Sequence, residues 1–259
     1  MCGFLPVNDA TKRFSDRVEN YVRYRPSYPP ALIASLQARA NLTPASTVAD
    51  VGSGTGILTA LLLSAAGRVY AVEPNAAMRS AAEAQLGRDP GFTSVAATAE
   101  ATRLGDASVD LITVAQAFHW FDRPACRREF LRILRPAGHV ALIWNERQTD
   151  ASPFLADYER LLQTQATDYD QSTHSRIDEV AIRELFWLAP FERIETPNDQ
   201  SFDLAGLVGR ALSSSYAPNP GQPGHAAFQA GLEQIFHRHA QAGRVTFRYV
   251  TRLYLGRLR

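Results

Sequence analysis

The 259-residue chain has little of several things, and each shortage removes a class of function. It has two cysteines, Cys2 and Cys126. Neither sits in a CxxC or a Cys/His cluster, so neither a zinc site nor a disulfide framework is written into it, and a reducing cytoplasm is expected. It has no surplus of either charge: 27 basic and 26 acidic side chains leave a formal +1. A dedicated nucleic-acid binder normally carries a clear basic excess, because phosphate contacts dominate its affinity. No basic stretch followed by an apolar run opens the chain, which argues against a signal peptide. The longest apolar runs, such as Leu61-Leu62-Leu63, are far too short to cross a bilayer. No membrane and no nucleic-acid partner is therefore expected. A monomer or a homodimer is the expected state. The histidines (His174, His225, His237 and His239 among them) follow no metal-ligand spacing, so no metal is expected.

What is present is a regular alternation. Short apolar strands are predicted at Thr47–Val51, Arg68–Val72, Phe92–Ala96, Val109–Val114 and His139–Trp144. Helix-forming runs lie between them at Ile57–Ala66, Ala76–Leu86 and Pro124–Leu134, and one precedes them at Ala31–Ala40. Strands alternating with helices predict right-handed βαβ units and a mostly parallel sheet. Later helices are predicted at Pro153–Ala166, Arg176–Leu188, Leu204–Ser213 and His225–Ala240. Strands follow at Phe191–Thr196 and Val245–Leu255. The 46% hydrophobic content and the length fit one α/β domain spanning 1–259, with a helical insertion at 146–190 packed over the sheet.

The chemistry concentrates in Asp50-Val51-Gly52-Ser53-Gly54-Thr55-Gly56. A strand runs into three alternating glycines and then a helix, the place where open α/β sheets bind ligands. A dinucleotide fingerprint reads G-x-G-x-x-G; this loop reads G-x-G-x-G with Asp50 before it. A carboxylate beside the loop opposes a pyrophosphate, whereas a ligand with an ammonium and a sulfonium tolerates or prefers it. Glu73 closes the next strand, 17 positions after Gly56, where a carboxylate can accept from both ribose hydroxyls. Alone, the glycine loop is also a plain strand-to-helix turn; with Glu73 it favours a nucleoside-containing cofactor.

With these stretches in view, the sequence resembles the class I S-adenosylmethionine-dependent methyltransferases, most closely the small-molecule branch of trans-aconitate and ubiquinone-pathway methyltransferases. Further matches are Ala99-Glu100-Ala101-Thr102, Asp110-Leu111-Ile112-Thr113, Ala117-Phe118-His119-Trp120-Phe121 and the turn Leu134-Arg135-Pro136-Ala137-Gly138-His139. The resemblance implies a Rossmann-like, doubly wound α/β sheet of seven strands, mostly parallel, with an antiparallel last strand between the fifth and sixth; Val245–Leu255 is the candidate. It implies S-adenosyl-L-methionine as cofactor, with Asp50, Gly52, Ser53 and Gly54 in the loop around its methionine portion. Glu73 and Pro74 would lie at the ribose, Ala99 and Glu100 beside the adenine, and the main chain of Gln116 at the amino group.

An N-terminal segment, 9–40, would fold over the cofactor as a lid, with Tyr21 sheltering the sulfonium and Arg25 pairing a carboxylate. Packing of these side chains onto the domain is the alternative. His119 is a candidate general base or a shape-setting neighbour; Trp120, Trp144 and Arg147 are candidates for the acceptor pocket, with ordinary capping as their alternative. Gln116-Ala117-Phe118-His119-Trp120 departs from the Asn/Asp-Pro-Pro-aromatic motif of nucleic-acid amino-methyltransferases, which points to a small-molecule acceptor. A carboxylic acid suits it, since methylating a carboxylate needs no strong base. Two other functions remain in view: a non-catalytic cofactor-binding scaffold, and a different nucleotide-cofactor enzyme such as a dehydrogenase.

Overall fold

A computed structural model describes residues 23–167, 169, 179–187, 189–214 and 216–259. Seven strands form one sheet: β1 (Thr47–Val51), β2 (Arg68–Val72), β3 (Phe92–Val95), β4 (Val109–Ala115), β5 (Leu134–Arg147), β6 (Phe191–Pro197) and β9 (Tyr249–Gly256). Their order is β3-β2-β1-β4-β5-β9-β6. The first five pair in parallel, while β9 runs antiparallel to both β5 and β6. The expected doubly wound sheet with its antiparallel last strand is therefore present.

Period-two patterning explains why helices cover both faces. On β5, Val140, Leu142 and Trp144 join one core, while Ala141 and Ile143 join the other. The first core receives α4 (Arg123–Ile133), whose Cys126, Phe130 and Ile133 recur at i, i+4 and i+7. The second receives α1 (Pro30–Ala40) through Leu32, Leu36 and Ala40, and α2 (Ile57–Leu63) through Leu58 and Leu62. α3 (Ala76–Leu86) starts at Asn75, whose side chain accepts from the Met78 amide at 3.1 Å.

Three expectations change. The turn at Arg135–Gly138 lies inside β5: the pairing jumps from Val109–Leu134 to Leu111–His139, so the extra residues bulge outward. The run Val245–Leu255 is not one strand. It splits at Arg248 into β8 (Val245–Phe247), which pairs with β7 (Gln200–Phe202) in a separate two-stranded ribbon, and β9. The insertion at 146–190 is also drawn differently. Its first helix, α5 (Pro153–Gln165), packs with α7 (Leu204–Leu212), α8 (His225–His239) and the ribbon into a third core around Tyr158, Leu162, Phe228 and Phe247. Its second, α6 (Glu179–Phe186), instead buries Ile182, Leu185 and Phe186 against the sheet. The cap is thus assembled from two stretches that lie far apart in the chain, because apolar faces pair by proximity in space.

Candidate functional site

The strand order reverses at β1, with β2 on one side and β4 on the other, and such a switch point opens a crevice at the carboxyl edge. An open cleft with a cavity volume of about 180 Å³ occupies it. Gly52, Gly54, Glu73, Pro74, Ala99, Glu100, Gln116 and Trp120 line it, all of them candidates from the sequence.

The glycines are there for two different reasons. Gly52 has φ +71°, and a Cβ on it would stand 2.6 Å from the Ala117 Cβ. Gly54 has φ +56°, and a Cβ on it would meet nothing within 4 Å. Gly52 lets the loop pack against the chain beyond β4; Gly54 keeps open a surface of the cleft.

Glu73 is held by backbone. Its Oε2 accepts from the Gly54 amide at 3.0 Å and its Oε1 from the Asn75 amide at 2.8 Å. Arg79 donates to the main-chain oxygens of Glu73 and Pro74 at 3.0 and 2.9 Å, bracing the turn. A carboxylate offers about four acceptor positions, so roughly two remain for a ligand diol. Burial, at 9% exposure, pushes the Glu73 carboxyl up, against the pull of these two amide bonds and of Arg79. Gln116 adopts φ +57°, a left-handed conformation that costs a non-glycine residue about 1–2 kcal/mol and that concentrates at functional sites. Its side chain donates to the Asn145 oxygen at 3.1 Å and its amide to the Ile143 oxygen at 2.9 Å, which holds it there.

The remaining candidates lie elsewhere. Asp50 is 1% exposed and sits beneath the loop, accepting from Thr59 Oγ1 at 2.6 Å and Thr113 Oγ1 at 2.8 Å. It ties β1 to α2 and β4 and does not line the cleft, so the acidic face toward a ligand comes from Glu73 and Glu100. Ser53 does not line the cleft either; its amide donates to the Val72 oxygen. Trp144 is a core residue, edge-on to Tyr254 at 6.1 Å between ring centres. Arg147 pairs with Glu159 and with Tyr169 at 3.0 Å, inside the cap. Arg25 donates to the Ser213 oxygen at 3.1 Å and so ties the N-terminal stretch to the cap. His119, on a short 3₁₀ turn (Phe118–Trp120), sets its ring 4.8 Å from that of Trp120 but is not among the lining residues. Tyr21 and His174 lie outside the described residues.

Sequence reasoning passed over Asn75, Met78, Thr98 and Phe121, which also line the cleft. Asn75 was findable as the N-cap before an Ala-rich helix; Phe121 closes the family-like stretch Ala117–Phe121, and Met78 and Thr98 carry no local signal. Among the described residues, no group of three or more His, Cys, Asp or Glu is placed to hold a metal, and no helix is long and apolar enough to cross a membrane.

Burial raises the Asp50 carboxyl from 3.8 to about 6, against the Thr59 and Thr113 hydrogen bonds and with help from Glu73. Between those pH values the folded protein holds a proton that the unfolded chain has released. Stability from this group is therefore fully present below pH 3.8 and lost as pH rises through about 6. We expect melts of wild type and Asp50→Asn across pH 4–7 to diverge, the variant gaining on the order of 3 kcal/mol relative to wild type. Parallel curves would remove the buried-carboxylate explanation.

Fold and cleft together define a class: a Rossmann-like domain with an acidic, glycine-lined cleft at its switch point. Residues 49–142 match the family model described as a methyltransferase domain. Over those residues the chain is similar to the class I S-adenosylmethionine-dependent methyltransferases, and that likeness together with the fold implies use of that cofactor. Uncharacterized methyltransferases of Mycobacterium bovis and Mycobacterium tuberculosis are 41% identical over 139 residues, 54% of this chain and 54% of theirs. One from Schizosaccharomyces pombe is 30% identical over 153 residues, 59% of each chain. The aligned part thus spans about half the length of these relatives. A type II methyltransferase structure from Anaeromyxobacter dehalogenans superposes with TM-score 0.67 at 25% identity, covering 91% of this chain and 98% of the other. A Bacillus halodurans methyltransferase structure, at 18% identity and TM-score 0.55 over 88% and 99%, shares the fold.

Proposed function

We propose that the chain transfers a methyl group from S-adenosylmethionine to a small-molecule acceptor, a carboxylic acid in the first instance. The observation that carries this is Glu73, whose two oxygens are held by the Gly54 and Asn75 amides in a cleft that Gly54 also lines. Charge supports the same reading. The lining includes two carboxylates, Glu73 and Glu100, and among the described residues no lysine or arginine. That suits a cationic sulfonium nucleoside and opposes the pyrophosphate of a dinucleotide.

Glu73 would hold the ribose diol, Ala99 and Glu100 would flank the base, and Gly52, Gly54 and the Gln116 main chain would meet the methionine portion. The cofactor supplies an electrophilic methyl group. The protein's own task is positioning and exclusion of water, and orientation alone contributes up to about 7–11 kcal/mol. The Trp120 ring, 40% exposed at the cleft, offers the acceptor an apolar wall. His119 stands behind Trp120, and we assign it to shaping that wall. His119→Asn is expected to keep kcat within about tenfold, whereas loss of a general base costs about 10²–10⁴. A fall in that larger range, restored at high pH, would make His119 the base.

Calorimetry tests the whole reading. S-adenosylmethionine should bind and NAD should not, and turnover should follow on a panel of carboxylates, phenols and quinols. Binding without turnover on any of them would favour a non-catalytic scaffold.

A further inference from the structure

Beside the cleft lies a second polar cluster that the cofactor reading does not use. It begins two residues beyond Asn145, whose main-chain oxygen accepts from the cleft residue Gln116. Arg147 and Asn145 share a face of β5 about 7 Å apart, and Arg147 lies opposite Tyr249 in the β5–β9 register. Arg210, from cap helix α7, donates to that same Tyr249 hydroxyl through Nε at 3.2 Å and Nη2 at 2.9 Å, and through Nη1 to Ser214 Oγ at 3.1 Å. Arg25 donates to the oxygen of Ser213, which caps the end of α7, at 3.1 Å.

Among the described residues the cluster brings Arg147 and Arg210 together with one carboxylate, Glu159, which is already engaged by Arg147 and by the Tyr169 hydroxyl at 2.7 Å. Arg210 is 5% exposed, and its hydrogen-bond partners are neutral hydroxyls; among the described residues no carboxylate reaches it. A buried cation without a counter-charge is costly, and three hydrogen bonds leave two of its five N–H donors over. Among the described residues Arg147 Nε and the Tyr158 hydroxyl are buried without a hydrogen-bond partner, and the Arg147 guanidinium lies 4.9 Å from the Tyr158 ring centre. Burial pushes the Tyr216 phenol up, yet Arg147, Arg210 and Arg25 together hold it below its ordinary range, so their positive field converges there.

We propose that this cluster is the acid-binding subsite of the methyl acceptor: a carboxylate or phosphate group is held by Arg210 and Arg147 beneath the cap, next to the cleft. The assignment rests on the methyltransferase reading and adds to it which acceptors are admitted. The two halves of the site are then complementary, with acidic residues facing the cationic cofactor and arginines facing an anionic acceptor. Guanidinium pairs with tyrosine hydroxyls suit the planar, two-oxygen edge of such acids.

The test uses the full chain saturated with S-adenosylhomocysteine. Succinate, glutarate and inorganic phosphate are titrated by calorimetry against the neutral diamides succinamide and glutaramide. At least one anion should bind tenfold or more tightly than the diamides, and which one identifies the acid. In Arg210→Gln that preference should vanish while S-adenosylhomocysteine affinity stays within about twofold. Should that variant not fold, Tyr249→Phe, which removes only the hydroxyl orienting Arg210, should weaken anion binding severalfold. Equal binding of anions and diamides, or an anion preference that survives these substitutions, overturns the subsite. Failure of S-adenosylhomocysteine itself to bind would instead strike the cofactor reading.

Discussion

Replacing Glu73 by alanine is expected to weaken S-adenosylmethionine binding about a hundredfold while leaving the fold intact. The size follows from what is lost. Each hydrogen bond to a charged acceptor contributes about 1.5–3 kcal/mol, and two to a ribose diol sum to roughly two or more powers of ten in Kd. The fold survives because Glu73 lines the open cleft and belongs to none of the three hydrophobic cores. The Gly54 and Asn75 amides that it now satisfies would be reached by water in the variant. Glu73→Gln, which keeps one acceptor oxygen, should fall between the two. Calorimetric titration with a circular-dichroism melt reads both quantities. An unchanged Kd would remove Glu73 from the site and, with it, the observation on which the proposed function stands.

A pair of glycine substitutions separates loop folding from ligand contact. Gly52→Ala is expected to lower Tm by on the order of 10 °C. A side chain at φ +71° is strained by about 1–2 kcal/mol, and a methyl 2.6 Å from Ala117 and 3.2 Å from the Phe121 ring forces a further shift worth about 1–3 kcal/mol. Gly54→Ala carries the backbone strain alone, because its methyl meets nothing, so its Tm should fall by only a few degrees. Its cofactor affinity should nevertheless drop at least tenfold, since the methyl stands where the ligand approaches the backbone. Equal losses of stability in the two variants would mean the loop is merely a tight turn. Wild-type affinity in Gly54→Ala would place the cofactor elsewhere.

The glycine loop, Glu73-Pro74 and the Ala99-Glu100 pair were legible because each is a local event at a strand's end, and the alternation of elements says which edge that end occupies. Asp50 was legible as important but not in its role. Its carboxylate is consumed by Thr59 and Thr113, one on the next helix and one on a strand 63 residues away, and no local pattern reveals such a partner. Trp144 and Arg147 sit at the end of β5 as expected, yet the antiparallel β9 delivers Tyr254 and Tyr249 against them and turns the first into core and the second into the cap's network.

The alternation of strands and helices up to β5, the two-faced sheet and the glycine loop are determined by the sequence alone, because periodicity and glycine act over a few residues; the bulge within β5 and the break at Arg248 are not. The cap's composition was decided only in three dimensions. α5 and α8 are separated by some sixty residues of chain, yet bury their apolar faces on each other. The same packing gathers Arg25, Arg147 and Arg210 around Tyr216, since burial and charge depend on distance through space and not along the chain.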